Sequence, residues 1–453
     1  GLGYRHVMAT LALLLGFVMS VFQAGITVGI VSMTSKNSSN TDFEEFDWPS
    51  TGKNAILSSY FWGSLLGSLP AGYLGQKLNV KFLIMGGTLV DSVLASLTPT
   101  VARAGGWQGY CVLASLQGFV ASLFAPGMYI LVSRWAPRIE STTLLGLANL
   151  GAPLGTAIAL PVCGLLAKGP FGWPSIFYFG TLISLLWTTI FFIFGSQSPS
   201  ESRFISDAEK EYIIVNQNKT VAQKAPPIPW GRLLTSRAVI ILFLAEVANG
   251  FGSGIMQSEV PSYVHDVLDL PIELNGIVSA MPWICICTLL APSSWLADFI
   301  VRKGILSRTV SKKVYSLLGL GMNGTLLILC GVAGDNLTLA IVLMCAATAF
   351  ATFTLSGFHT THLDIAPNFA GVLAALTSFG GHISGVIAPL TVGLIVKNNT
   401  ASEWTWVFVE TGSVLIVGSI IYVLFGSTDL QSWNDVSEEE DSKDRRNEIS
   451  ITA

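Results

Sequence analysis

A chain of 453 residues with 51% hydrophobic side chains, 11% charged ones and a mean hydropathy of +0.60 is not an ordinary water-soluble domain, in which about 25% of residues are charged. The formal net charge of −4 also excludes a strongly basic nucleic-acid binder. The bilayer is therefore the expected solvent for most of this chain.

Taken in order, the apolar runs predict twelve transmembrane helices at 6–33, 53–74, 80–101, 109–132, 142–166, 173–195, 238–262, 275–298, 314–333, 338–358, 369–396 and 404–425. Each is about 20 residues or longer, enough to cross a hydrocarbon core of ~30 Å. Apart from Lys53 and Lys81 at run edges, none contains Lys or Arg. With a cytoplasmic start, the outer loops hold only Lys36, Lys53, Arg103, Lys168 and Lys397, which leaves nineteen of the 24 basic residues on the cytoplasmic side. The positive-inside rule then places both termini in the cytoplasm. The first outer loop carries the sequon Asn37-Ser38-Ser39, so Asn37 is a candidate glycosylation site.

The longest polar interruption, 196–237, contains Ser206-Asp207-Ala208-Glu209, spaced like a helix capping box, followed by Pro226, Pro227 and Pro229. It divides the chain into a first six-helix half (1–195), a central cytoplasmic linker (196–237), a second half (238–425) and an acidic cytoplasmic tail (426–453) with Glu438, Glu439, Glu440 and Asp441. The halves carry matching text. GAPLGTAIALPVCGLL (151–166) aligns without gaps to GGHISGVIAPLTVGLI (380–395), and ILSSYFW (56–62) pairs with IVSAMPW (277–283). Such a repeat is the architecture of the major facilitator transporters, with substrate held near the midplane between the halves. The predicted fold is therefore an all-α membrane protein with twelve helices in two pseudo-symmetric halves.

Several segments resemble the sodium/phosphate and vesicular organic-anion branch of that superfamily, which includes sialin, the vesicular glutamate transporters and inorganic phosphate cotransporters of insects. The most specific are FDWPSTGKNAILSSYFWG (46–63), SRWAPRIE (133–140), SPSESRFISDAEKEYI (198–213), LADFIVRKGILS (296–307), SGFHTTHLDIAP (356–367) and FGSTDLQSWND (425–435). The resemblance implies secondary transport of a small organic or inorganic anion, driven by sodium or protons, in the plasma membrane or a lysosomal or vesicular membrane. A monomer is expected, with membrane lipid and the anion as partners and no nucleic acid, cofactor or metal. A facilitator that has lost transport and serves as a receptor or scaffold is the alternative, as is a carrier of a neutral polar solute. An enzyme is not, since no nucleophile–base–acid set or phosphate loop stands out.

The resemblance also implies gating roles for Lys77, Asp298 and Arg302, at junctions like the facilitator loop motif, with Gln76 in the acidic place of the first copy. It implies ionic residues within the spans that this chain lacks. Gln23, Leu57, Ala114, Ala121 and Asn249 stand where the family places an Arg, a His, an Arg, an acid and an Arg.

What remains titratable in the spans is Glu246, three residues before Asn249 and on the same helix face. It is either the carrier of a coupling proton or a neutral acid hydrogen-bonded within the bundle. His382 lies within the repeated segment. Gln23, Thr27, Ser59, Tyr60, Gln117, Asn249, Gln257 and His382 are the expected substrate-binding set, because uncharged polar groups orient a ligand by hydrogen bonds. Asp91 and Glu410 are read as structural acids on peripheral spans, and His359 and His362 as hydrogen-bonders of a cytoplasmic junction.

Overall fold

The computed structural model describes the chain except residues 1–2, 35–39, 217–226, 261–262, 265–266, 269–271, 335, 399 and 435–453. Asn37 and the acidic run of the tail thus lie outside the described residues. Ten helical stretches have the length and apolarity to cross a membrane. One of them, Val80–Trp135, is two spans joined at Gly106, whose φ of 58° and ψ of −156° interrupt the helix. The more polar helix Ser50–Lys77, 28 residues long, spans about 42 Å. Together these bring the ten to twelve.

In the first half the spans are Tyr4–Thr34, Ser50–Lys77, the two parts of Val80–Ala121 (the second continued by Phe124–Trp135), Ser141–Asn149 continued by Gly151–Lys168, and Pro174–Phe194. The linker contributes the short helices Asp207–Asn216 and Trp230–Thr235. The second half comprises Arg237–Ser258, Ile272–Arg302, a ninth span from Arg308 to Val332, a tenth that starts as Leu337–Ala351, then Ala370–Ile395 and Ala401–Phe425. These are called spans one to twelve below.

Each half has its own apolar core. Met8, Leu15, Ile84, Trp135 and Trp187 belong to one cluster, and Leu242, Leu320, Phe369, Trp404 and Tyr422 to another. A third cluster is shared: Ala9, Tyr129, Leu144 and Leu145 from the first half pack with Leu290, Leu355, Leu363 and Ala374 from the second. The halves are thus held by apolar contact as well as by the polar bonds described below.

The repeated segments do the same job twice. A Cβ added at Gly151, on span five, would lie 1.8 Å from the Leu13 carbonyl oxygen of span one. One added at Gly250, on span seven, would lie 2.5 Å from the Gly381 carbonyl oxygen of span eleven. Close backbone approach at each crossing requires the missing side chain.

Candidate functional site

Polar residues gather at two levels, one at the basic ends of the helices and one within the second half's spans. At the basic face, Asp298 ends span eight and is buried. Its Oδ2 accepts from the backbone N–H of Thr143 at 2.7 Å and from Thr143 Oγ1 at 2.8 Å, both across the half-to-half boundary. Thr143 lies in the first turn of the helix Ser141–Asn149, where unpaired N–H groups and the helix dipole favour an anion.

Beside it, Arg308 Nε donates to Asp364 Oδ1 at 2.5 Å, while Nη1 and Nη2 donate to the Arg138 carbonyl oxygen (3.1 Å) and Ser141 Oγ (2.9 Å) of the opposite half. Lys312 is buried as well and bridges Thr142 Oγ1 at 3.2 Å to Thr360 Oγ1. Asp298 and Asp364 both lie within electrostatic reach of its ammonium.

Of the two cations that follow Asp298 in this motif-like stretch, Arg302 is exposed and Arg308 takes the bridging place. The reason is the turn at Gly304, whose φ of 70° reverses the chain and starts span nine at Arg308. Lys77 is corrected likewise: it is exposed, with its ammonium 5.7 Å from the Tyr73 ring. Its neighbour Gln76 makes the crossing, donating through Nε2 to the Asn368 carbonyl oxygen at 2.7 Å. Asn368 is held in turn by Asn434, which accepts from its N–H and its Nδ2, both at 3.1 Å.

The linker is tied to the same face. Glu209 accepts from the N–H groups of Tyr4 and Arg5 and from the Arg5 guanidinium, which also pairs with Glu140 at 2.7 Å. Partial burial pushes the Glu209 carboxyl up, yet the backbone bonds and Arg5 outweigh it and hold the group below its ordinary value.

Deeper in the second half, Glu246 sits about 14 Å along span seven from Arg237. Its Oε2 faces His359 Nδ1 at 3.3 Å, and His359 Nε2 faces Asn249 Nδ2 at 3.4 Å. An amide nitrogen only donates, so in the neutral ring Nε2 accepts and Nδ1 bears the proton; Nδ1 is in charge contact with Oε2, which accepts no hydrogen bond among the described residues. His362 follows one turn on, with Nδ1 at 2.5 Å from the His359 carbonyl oxygen and Nε2 at 2.9 Å from Thr377 Oγ1. His359 is therefore part of the central cluster rather than a junction group.

His359 escaped notice because 110 residues separate it from Asn249, and because span ten stops being a regular helix there. Gly357 adopts φ −84° and ψ −118° and packs against the backbone of Ser316. Pro367 then excludes helical geometry at Ala366, whose φ and ψ are −157° and 80°. A histidine following a glycine and preceding a proline within an apolar run was the available signal.

The remaining expected residues divide. Gln23 is half-buried and accepts through its backbone carbonyl from Thr27 Oγ1 at 3.2 Å; Thr27 is exposed. Ser59 spends its hydroxyl on the Ala55 carbonyl oxygen, and half-buried Tyr60 stands edge-on to Phe61. Gln117 does not join any shared pathway: it is buried within the first half and donates to Asp91 Oδ1 at 3.2 Å. Asp91 is itself buried, its side chain turned into the first half. His382 is half-buried, and its Nδ1 has no hydrogen-bond partner among the described residues. The side chain of Gln257 lies outside what the structure describes.

Comparison with known proteins converges on one family. The Major Facilitator Superfamily profile matches residues 8–389. Vesicular glutamate transporter 3 of Danio rerio is 30% identical over 456 residues, covering 98% of this chain and 76% of its own. A Drosophila ananassae protein named "Putative inorganic phosphate cotransporter" is 30% identical over 401 residues, covering 87% and 83%. Human sialin is 28% identical over 451 residues, covering 95% and 90%. Among solved structures, a double-Trp mutant of XylE superposes with a TM-score of 0.73 at 14% identity, covering 94% of this chain and 96% of that one. The Escherichia coli fucose:proton symporter FucP superposes with a TM-score of 0.66 at 13% identity, covering 92% and 99%.

Proposed function

The chain belongs to the Major Facilitator Superfamily, as a multi-pass transporter related to anion carriers and not an enzyme, and from there we propose that it moves a small carboxylate or phosphate-type anion by alternating access, coupled to protons. The carrying observation is the distribution of charge. Arg5, Arg308 and Lys312 are engaged at the basic face, whereas Glu246, His359 and Asn249 meet within the spans.

An ionised Glu246 opposes an anion bound near it. At a separation of about 6 Å and an effective dielectric of about 20, the repulsion is roughly 3 kcal/mol, or about 100-fold in affinity. One proton on Glu246 removes that penalty, taking the centre from one negative charge to none. Anion and protons therefore favour each other's binding, which is the thermodynamic requirement of symport. Sodium would bring a positive charge too, so the two gradients have to be imposed separately.

The structure is closed at the basic face. We read this as the state open to the opposite side, with both termini cytoplasmic and residues such as Gln23, Thr27, Ser59, Tyr60 and His382 lining the substrate's route. The test is uptake into proteoliposomes across phosphate, glutamate, sialate and neutral solutes, with proton and sodium gradients imposed separately. Glu246→Gln keeps shape and hydrogen bonding but holds no exchangeable charge, so substrate exchange survives and proton-driven accumulation is lost. Accumulation equal to the parent's in that variant overturns the coupling role, and transport of neutral solutes alone overturns the anion.

A further inference from the structure

Protonation within span seven is of no use to a carrier unless it alters the gate at the basic face. Between the two lies the irregular part of span ten, residues 357–364, Gly-Phe-His-Thr-Thr-His-Leu-Asp. Its successive side chains reach different parts of the molecule. His359 faces Glu246 and Asn249 on span seven. Thr360 meets Lys312, which continues to Thr142 of the first half. Thr361 bonds Tyr422 Oη on span twelve at 2.6 Å. His362 bonds Thr377 on span eleven and stands edge-on to Tyr129 of span four at 5.3 Å. Leu363 joins the apolar cluster shared by the halves. Asp364 holds Arg308, whose other nitrogens reach Arg138 and Ser141.

We propose that His359 is the positioning residue that transmits the protonation state of Glu246 to the basic-face gate, and that residues 357–364 move as the linking element. This rests on the proton-coupled reading above. A regular helix would pass any displacement along its whole length. Here the backbone is broken at Gly357 and again at Ala366, so the short piece between can move as a unit without carrying the rest of the span. With Glu246 ionised, the 3.3 Å charge contact between its Oε2 and His359 Nδ1 holds the ring toward span seven. When Glu246 takes up a proton, that attraction weakens, and the adjoining Thr360 and the Lys312 it holds are released from their present register. Other groups face the pair: Asn249 on span seven, Tyr129 within electrostatic reach of Glu246, the Gly381 backbone against the Glu246 carboxyl with His382 next to it on span eleven, and His362 of the same segment. Of these, His362 and His382 are the other imidazoles, and His362 is tied on both ring nitrogens.

The experiment reads conformation directly. The six native cysteines are replaced, spin labels are placed at Ile139→Cys and Ile305→Cys, exposed positions in opposite halves at the basic face, and the distance distribution is followed from acid to alkaline pH in lipid nanodiscs. The parent shifts between a short and a long distance as pH changes, and Glu246→Gln loses the shift. His359→Gln also loses it, although proton-dependent substrate binding persists. Thr360→Val, which keeps the side chain's shape, retains the parent's midpoint with reduced amplitude, and it carries the test should His359→Gln fold poorly. A merely structural His359 would lower thermal stability while leaving midpoint and amplitude unchanged. Retention of the full shift in both His359→Gln and Thr360→Val, with Glu246→Gln lacking it, overturns the transmission alone. Retention in Glu246→Gln overturns the proton-coupled reading along with it.

Discussion

Asp298→Asn is the most direct test of the gate. The carboxylate oxygen Oδ2 takes two hydrogen bonds from one residue of the opposite half, at 2.7 and 2.8 Å. Bonds to a charged acceptor contribute about 1.5–3 kcal/mol each against about 0.5–1.5 for neutral ones. The asparagine oxygen can still accept both, so the substitution loses the difference, about 1 kcal/mol per bond. Loss of the favourable placement at the N-terminus of Ser141–Asn149 adds ~0.3–1 kcal/mol. Relief from keeping a charge buried acts the other way, partly countered because Lys312 then relies on Asp364 alone. The net expectation is about 1–2 kcal/mol against the closed basic face, a factor of roughly 5–30 in the open-to-closed ratio. Spin labels at positions 139 and 305 measure that ratio, and transport turnover measured alongside shows whether the cycle suffers. A ratio within about twofold of the parent's, in protein of normal thermal stability, would show that the bonds to Thr143 form equally well in both states.

Two further outcomes concern the basic face and its topology. Glu209→Gln frees the linker helix Asp207–Asn216 from the start of span one, so trypsin cleaves the Lys210–Lys224 stretch faster; unchanged cleavage would show that the helix is held by other contacts. Because the Glu209 carboxyl is held below its ordinary value, this docking is fully present above the unfolded-state value of about 4.3 and is lost as pH falls through the lowered one. Glycosidase treatment is expected to shift the mobility of the parent but not of Asn37→Gln, and Lys210→Cys should resist impermeant labelling from outside intact cells; labelling there refutes the cytoplasmic termini.

Long-range order of the fold was legible because it rests on patterns that the bilayer imposes residue by residue. Apolar runs give the spans, and a gapless repeat gives the two halves, in which spans five and one and spans eleven and seven cross closely. The site was less legible because a polar residue in a span has several directions in which to be satisfied. Gln117 and Asn249 look alike in sequence, yet a helix turns by about 100° per residue, and that rotation sends one to Asp91 inside the first half and the other to His359. Arg302 and Arg308 differ only by which side of a left-handed glycine they occupy. Glu246 was identifiable from the cost of its charge, but its partner His359 was not, since no local periodicity links spans seven and ten.

The composition of the gate explains how it can be tight and still open in every cycle. The ion pair Arg308–Asp364 lies within the second half, and Arg5 with Glu140 and Glu209 within the first half and its linker. What crosses the boundary at Asp298, Arg308, Lys312 and Gln76 is bonding to hydroxyls and backbone groups of Thr143, Arg138, Ser141, Thr142 and Asn368. Separating a buried ion pair would cost about 3–5 kcal/mol for each partner left alone. Separating a charge from a hydroxyl or amide that water can replace costs about the net value of one hydrogen bond. Opening therefore leaves each charge with its own counter-ion. The crossings are unequal as well, with the acid Asp298 at the junction of one half and the amide Gln76 at that of the other. Glu246, His359 and the charged crossings all belong to the second half, and the first half presents mainly dipoles to them. The coupling proton thus has to act on only one of the two halves, and the first half can follow as a rigid body.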